Sequence, residues 1–235
     1  MSLLPRTPEP EVMDSESEAR DYDAMDHEQV NASFCADLLA IRPRPRHVLD
    51  AGTGTALIAI ELCRRSPETR VDGIDLARHM LALAAQNVRR AGMEGRIRLS
   101  WLDAKATAWP DGAFDAVISN SLVHHIPDPR AVFAEMWRLV ADGGVLFVRD
   151  LARPADAAQV ESLADRYASA PDGDPSSADA ETTQMHARQR ALFVASLHAS
   201  LTIDEVRALV APLGVPGGAV RMTSDRHWTL ACVRS

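Results

Sequence analysis

The chain has 235 residues, with 25 basic against 33 acidic side chains and a formal net charge of -8 at pH 7. That balance argues against a nucleic-acid binder, and no apolar run approaches the length that spans a membrane. The length suits one sizeable core with additions. Cys35, Cys63 and Cys232 are far apart and form no C-x-x-C pair, so neither a disulfide framework nor a zinc site is indicated. Reduced thiols in a cytoplasmic protein are the simple reading. The N-terminus is acidic and proline-bearing, unlike a signal peptide. Lys105 is the only lysine.

Residues 1–20 carry Pro5, Pro8, Pro10 and the acids Asp14, Glu16 and Glu18 without an apolar period, which predicts a disordered acidic arm. A helix and its connector are expected over 21–45, with Val30, Phe34, Leu38 and Leu39 near helical spacing, ending before Pro43 and Pro45. From residue 46 to 150 strands and helices alternate. Strand one is Val48 to Asp50, and its helix runs from about Thr55 to Arg65. Strand two is Arg70 to Asp75, followed by a helix from Ala77 to about Ala91 with Gly92 as its stop. Strand three is Ile97 to Leu102 and strand four Phe114 to Ser119. Asp128 and Pro129 suit an N-cap and first-turn proline for a helix from Arg130 to about Val140, closed by Asp142-Gly143-Gly144. Strand five is Val145 to Val148.

Such alternation predicts a doubly wound, mostly parallel sheet with helices on both faces. Residues 151–200 read as a helical insertion around a loop at Pro171 to Ser177. Its apolar faces could serve a core or a homodimer, and the sequence leaves that open. In 201–235, Thr202 and Glu205 form a capping box, and Ala219–Thr223 and Trp228–Val233 read as two strands.

Ligands of open α/β sheets bind at the carboxyl ends of the strands. There stand Asp50 with the turn Gly52-Thr53-Gly54, then Asp75, Asp103, Asn120-Ser121 and Asp150. Glycines let backbone N–H groups approach a ligand, and a helix start favours negative charge. Asp75 follows Gly54 at a distance that lets its carboxylate accept from both hydroxyls of a ribose. Asp103, one strand further out, can hold an amino group of a base, because a carboxylate only accepts. Asp50 can orient the loop or accept from an ammonium. A nucleoside with a zwitterionic tail fits this set.

The runs V-L-D-A-G-T-G-T-A, G-I-D-L-A-R-H-M-L, W-L-D-A and F-D-A-V-I-S-N-S-L-V-H-H-I-P-D-P resemble the class I S-adenosylmethionine-dependent methyltransferases. The small-molecule members, of ubiquinone/menaquinone type, are most similar. The resemblance covers about His47 to Asp150. It implies a Rossmann-like seven-stranded sheet with an antiparallel last strand and S-adenosylmethionine as cofactor, leaving S-adenosylhomocysteine. The implied cofactor-binding set is Tyr22, Asp50, Ala51, Gly52, Thr53, Gly54, Asp75, Leu76, Met80, Asp103, Ala104, Asn120 and Ser121. Within it the methionine end lies near Asp50, Gly52 and Gly54, and the ribose on Asp75 with Leu76 flanking the adenine. The adenine amine meets Asp103 beside Ala104, and Asn120 lies near the reacting methyl. The resemblance makes the helix over 21–45 a lid, to which Tyr22, and after it Asp26, His27 and Asn31, belong, and residues 151–200 a cap over the substrate pocket.

The pattern departs from the family at Ala56, where a third glycine is usual; alanine is tolerated there if the residue has helical φ. Leu57 breaks the dinucleotide fingerprint G-x-G-x-x-G, so the loop suits a nucleoside–sulfonium better than a pyrophosphate.

In-line transfer needs a positioned nucleophile and, for an oxygen, carbon-acid or thiol acceptor, a base. His124 and His125, just past strand four, are the candidates, beside the plain reading that they pack or line a pocket. Asn120 is not followed by the Pro-Pro-aromatic run of nucleobase amino-methylating relatives. No cysteine stands near the site for cytosine chemistry. Neither Tyr22 nor Tyr167 has the lysine of a short-chain dehydrogenase. The spacing of His27, His186, His198 and His227 is not metal-like, so no metal is expected. Trp101 and Trp109 suit packing better than an adenine pocket, and Arg149 and Arg153 suit ion pairs or an anionic substrate group. The expected function is methyl transfer to a small-molecule O, C or S acceptor. The alternative is a non-catalytic module that binds the cofactor or its product for regulation.

Overall fold

The computed structural model describes residues 4–10, 12, 14–23, 28–168 and 180–235. Seven strands form one sheet: β1 (His47–Ala51), β2 (Arg70–Asp75), β3 (Ile97–Trp101), β4 (Phe114–Asn120), β5 (Val140–Leu151), β6 (Val220–Met222) and β7 (His227–Val233), ordered β3-β2-β1-β4-β5-β7-β6. β1 to β5 pair in parallel, and β7 runs antiparallel to both β5 and β6. The expected sheet with its reversed last strand is therefore the observed one.

Alternate residues of a strand face opposite sides of the sheet, and the two cores follow that rule. Leu49, Val117, Leu146 and Val148 pack on one face with α5 (Arg130–Leu139) and α8 (Ile203–Val210). Val48, Ala116, Ile118, Val145 and Phe147 pack on the other with α2 (Glu28–Ile41), α3 (Leu57–Arg65) and α4 (Arg78–Arg90). Central strands covered on both faces must be apolar at successive positions, which is why β4 reads A-V-I without alternation. The remaining helices are α1 (Glu16–Asp23), α6 (Ala157–Tyr167) and α7 (Ala180–Ala199). Leu151, Val160, Leu163 and Leu197 join α6 and α7 in a satellite core. The loop expected at Pro171 to Ser177 lies outside the described residues.

The capping box forms as expected: Thr202 Oγ1 accepts from Glu205 N, and Glu205 Oε2 accepts from Thr202 N at 2.8 Å. Three expectations need correction. First, the arm over 1–20 is not disordered where it is described. Arg6 donates to the carbonyls of His124, Ile126, Pro127 and Ala199, and Leu4 and Thr7 donate backbone bonds to Ala155 and His198. A guanidinium offers five donors, enough to pin an extended strap that has no core of its own. Second, Asp142-Gly143-Gly144 does not close a helix; it lies within β5, which starts at Val140 and shifts register against β4 between Phe114 and Ala116. Third, Pro129 rather than Asp128 occupies the N-cap of α5, while Asp128 accepts from Arg130 N at 3.2 Å.

Candidate active site

The sheet order reverses direction between β1 and β4, and the crevice at such a switch point is where open α/β sheets bind ligands. A cleft of about 830 Å³, counted to its open mouth, lies there. Asp75, Leu76, Met80, Asp103, Ala104, Asn120 and Ser121 all line it, with Gly52 and Gly54. A smaller cavity shares Gly52, Gly54 and Asn120 with the cleft and adds Asn31, Asp50, Thr53 and Thr55. The sequence-expected set thus converges, with exceptions. Ala51 lines neither space; it is fully buried, and its carbonyl accepts from Ser119 Oγ. The side chain of Tyr22, and Asp26 and His27, lie outside the described residues.

Asp75 is held by two backbone donors, Gly54 N and Ala77 N, each at 2.8 Å. Each oxygen keeps a second lone pair for a ligand hydroxyl. Burial raises its pKa despite those two bonds. Asp103 accepts from Lys105 N at 2.9 Å, and its other oxygen lies 3.3 Å from Lys105 Nζ. Asp50 is almost fully buried and accepts from Thr53 Oγ1 at 2.7 Å; burial pushes its pKa up to about 7. In the same small cavity Thr55 Oγ1 is buried and has no hydrogen-bond partner among the described residues. A buried hydroxyl donor beside a buried carboxylate acceptor is the complement of an amino-acid zwitterion. These residues fit a nucleoside in the cleft and an amino-acid tail in the small cavity. Thr55 escaped sequence reading because its place in G-T-G-T suggests only a helix start.

The loop geometry departs from expectation at Ala56. It sits at φ 64°, ψ 20°, in the left-handed region rather than with helical φ, and α3 starts only at Leu57. Ser121, on the cleft, is also left-handed at φ 56°. Gly52 has φ 73°, and a Cβ there would lie 2.9–3.0 Å from three atoms of Leu122. Such strain in a site persists only where the surroundings determine the backbone.

His125 lines the cleft; His124 does not. His124 is buried, with Nδ1 2.5 Å from Asp150 Oδ1. Burial opposes the charged ring, but Asp150 holds its pKa above the usual value. Asp150 also accepts from the backbone N–H groups of Val123, His124 and Leu151, which with the two histidines lowers its pKa against burial. Glu9, from the N-terminal arm, reaches both rings: its Oε1 is 3.5 Å from His124 Nε2 and 3.1 Å from His125 Nδ1. No local sequence signal foretold Glu9, since only the folded strap brings it there. Trp101 and Trp109 lie off the cleft, as the packing reading expected. Trp101 is half exposed under the Arg78 guanidinium, and Trp109 packs edge-on against Phe114. Arg149 pairs with Asp37 and Arg153 with Glu205.

Residues 48–144 match a family described as a methyltransferase domain. The demethylmenaquinone methyltransferase of Thermus thermophilus is 37% identical over 130 residues, 52% of this chain and 58% of that one. A phosphatidylethanolamine N-methyltransferase of Cereibacter sphaeroides is 37% identical over 114 residues, 48% of this chain and 55% of the relative. The chain thus spans little more than half the length of these curated relatives. Among solved structures, a SAM-dependent methyltransferase from Aquifex aeolicus superposes with a TM-score of 0.65 at 15% identity, over 92% of this chain and 97% of that one. The plantazolicin methyltransferase BpumL, solved with a monoazolic desmethylPZN analog and SAH, gives 0.63 at 16% identity, over 87% of this chain and 71% of that one. Fold and match agree: residues 48–144, which match the methyltransferase domain, carry the strands β1 to β4 and the turns that border the cleft.

Proposed function

We propose that the protein transfers a methyl group from S-adenosylmethionine to an oxygen, carbon or sulfur nucleophile of a small molecule by in-line displacement. The observation that carries this reading is the convergence of Asp75 and Asp103 on one cleft, with Asp50 and Thr55 in the adjoining cavity. Bound there, S-adenosylmethionine supplies an activated methyl. Asp75 would hold the ribose hydroxyls and Asp103 the adenine amine. Asp50 would accept from the ammonium, Thr55 would donate to the carboxylate, and Gly52 and Gly54 would let the backbone come close. Asn120 borders both spaces and so flanks the sulfonium end. The chain's work is positioning and water exclusion. Proton removal from an acceptor falls to the cluster of Glu9, His124 and His125, in which His125 is the member facing the cleft.

A small acceptor is favoured over a nucleic acid by the net charge of -8. No helix among the described residues is long and apolar enough to cross a membrane. A cytoplasmic location belongs to the proposal and is supported by the free state of all three cysteines. The apolar faces of α6 and α7 meet each other, so the reading invokes no second copy.

Isothermal titration with S-adenosylmethionine tests the cofactor assignment. Release of S-adenosylhomocysteine across a panel of quinols, phenols, thiols and carboxylic acids tests turnover. Binding without turnover of any acceptor would favour the regulatory module instead, and absence of binding would end both readings.

A further inference from the structure

We propose that Glu9, His124 and His125 bind one divalent transition-metal ion of the zinc class, fastening the N-terminal arm to the active-site face. One carboxylate oxygen of Glu9 and one ring nitrogen each of His124 and His125 lie within 4.8 Å of one another. The two contacts to Glu9, 3.5 and 3.1 Å, bracket the separation of about 3.3 Å that follows from tetrahedral zinc bonds of roughly 2.0–2.1 Å. His125 Nδ1 is buried, and Glu9 Oε1 lies 3.1 Å from it.

The surroundings point the same way. Asp150 accepts three backbone N–H bonds and is held as the carboxylate, so it takes a proton donor from His124 Nδ1. With Nδ1 engaged by Asp150, Nε2 is the nitrogen turned to Glu9, and a metal ion would take its lone pair in place of a proton. A carboxylate behind a ligating histidine is the usual outer support of a zinc site. Glu9 Oε1 is itself hydrogen-bonded by Ser196 Oγ at 3.1 Å. The side chains of Glu9, His124 and Asp150 are all at least nine-tenths buried. Three protein ligands would leave a tetrahedral zinc ion a fourth position for water or another oxygen, and His125, which lines the cleft, sets the site beside it. The sequence gives no such spacing because Glu9 and the two histidines meet only when the strap closes. The site stands whether or not methyl transfer is the activity.

The test uses the tag-free full chain, stripped with EDTA and titrated with Co²⁺, then with Zn²⁺. One equivalent of Co²⁺ should bind, with the intense visible absorption of a four-coordinate ion, and Zn²⁺ should bleach it. Glu9→Gln and His125→Ala should each weaken Co²⁺ binding by more than roughly tenfold. Circular dichroism should show both variants folded. His79→Ala, which removes the exposed His79–Asp14 pair on α4, should leave binding unchanged. Failure to bind one equivalent, binding that survives both Glu9→Gln and His125→Ala, or equal loss in His79→Ala would overturn the proposal.

Discussion

The carboxylate of Asp75 accepts a hydrogen bond from Gly54 N at 2.8 Å, so the tip of β2 holds the glycine turn that follows β1. Its other oxygen fixes the entry to α4 through Ala77 N. One side chain therefore shapes the loop and faces the cleft. Asp103, in contrast, organises only its own turn, through Lys105. Removing Asp75 should cost more than the ribose contact alone.

Hydrogen bonds to a charged group contribute roughly 1.5–3 kcal/mol each. Asp75→Ala should accordingly weaken S-adenosylmethionine binding by roughly 100-fold or more, and Asp103→Ala by roughly tenfold. Calorimetric titration of both variants checks the order. Equal losses would mean that Asp75 acts on the ligand alone.

Asp50 should couple cofactor binding to a proton. Burial lifts its pKa from the ordinary 3.8 to about 7 in the fold. The folded state then binds more protons than the unfolded one between those values, so this group's contribution to stability falls as pH rises through the window. At about 1.4 kcal/mol per pKa unit, the penalty is on the order of a few kcal/mol near neutrality. An ammonium placed against Asp50 favours the carboxylate and should release a proton between about pH 4 and 7. Titration in buffers of differing ionisation enthalpy measures that release. Asp50→Asn should abolish it and flatten the neutral end of the stability profile.

The turn tolerates a methyl at position 56 but not at 52. A left-handed alanine costs about 1–2 kcal/mol. Ala56→Gly would relieve that but give up about 0.8 kcal/mol of buried methyl and about 0.4–1 kcal/mol in unfolded-chain entropy. The sum is near zero, so denaturant unfolding should show little change. Gly52→Ala adds a contact of 2.9–3.0 Å with Leu122 to the same backbone strain. It should destabilise by about 1–3 kcal/mol and weaken cofactor binding, with only partial recovery in Gly52→Ala/Leu122→Ala. Full recovery would show that the backbone angle carries no strain.

The contact between His124 and Asp150 should matter for stability as well as position. Asp150→Ala leaves the backbone donors of Val123, His124 and Leu151 without their carboxylate. Breaking a buried charged pair on one side costs about 3–5 kcal/mol. Urea unfolding should show a loss of that size, against little change for Asp128→Ala at the exposed Arg130 pair.

Much of this molecule is legible in one dimension. The apolar runs Val48–Leu49 and Ala116–Ile118, and the stripe of Met80, Ala84 and Val88, set strands and helices because their burial faces are fixed by local geometry. Asp50, Asp75 and Asp103 follow, since parallel pairing brings strand ends to one edge. Tertiary packing decided what depends on distant segments. Ala56 takes a left-handed backbone because the Asp75–Gly54 bond and the α3 packing over-determine the turn, whatever a lone alanine prefers. Residues 4–10, poor in apolar period, are ordered by Arg6 gripping four carbonyls of other segments. Glu9 reaches the histidines by the same route. Local periodicity and turn chemistry determined the sheet and the acids at its strand tips, because each rests on neighbours in sequence. The strained turn, the zwitterion-matching pair Asp50 and Thr55, and the Glu9 cluster were decided only by the folded chain, because their partners are far apart until it closes.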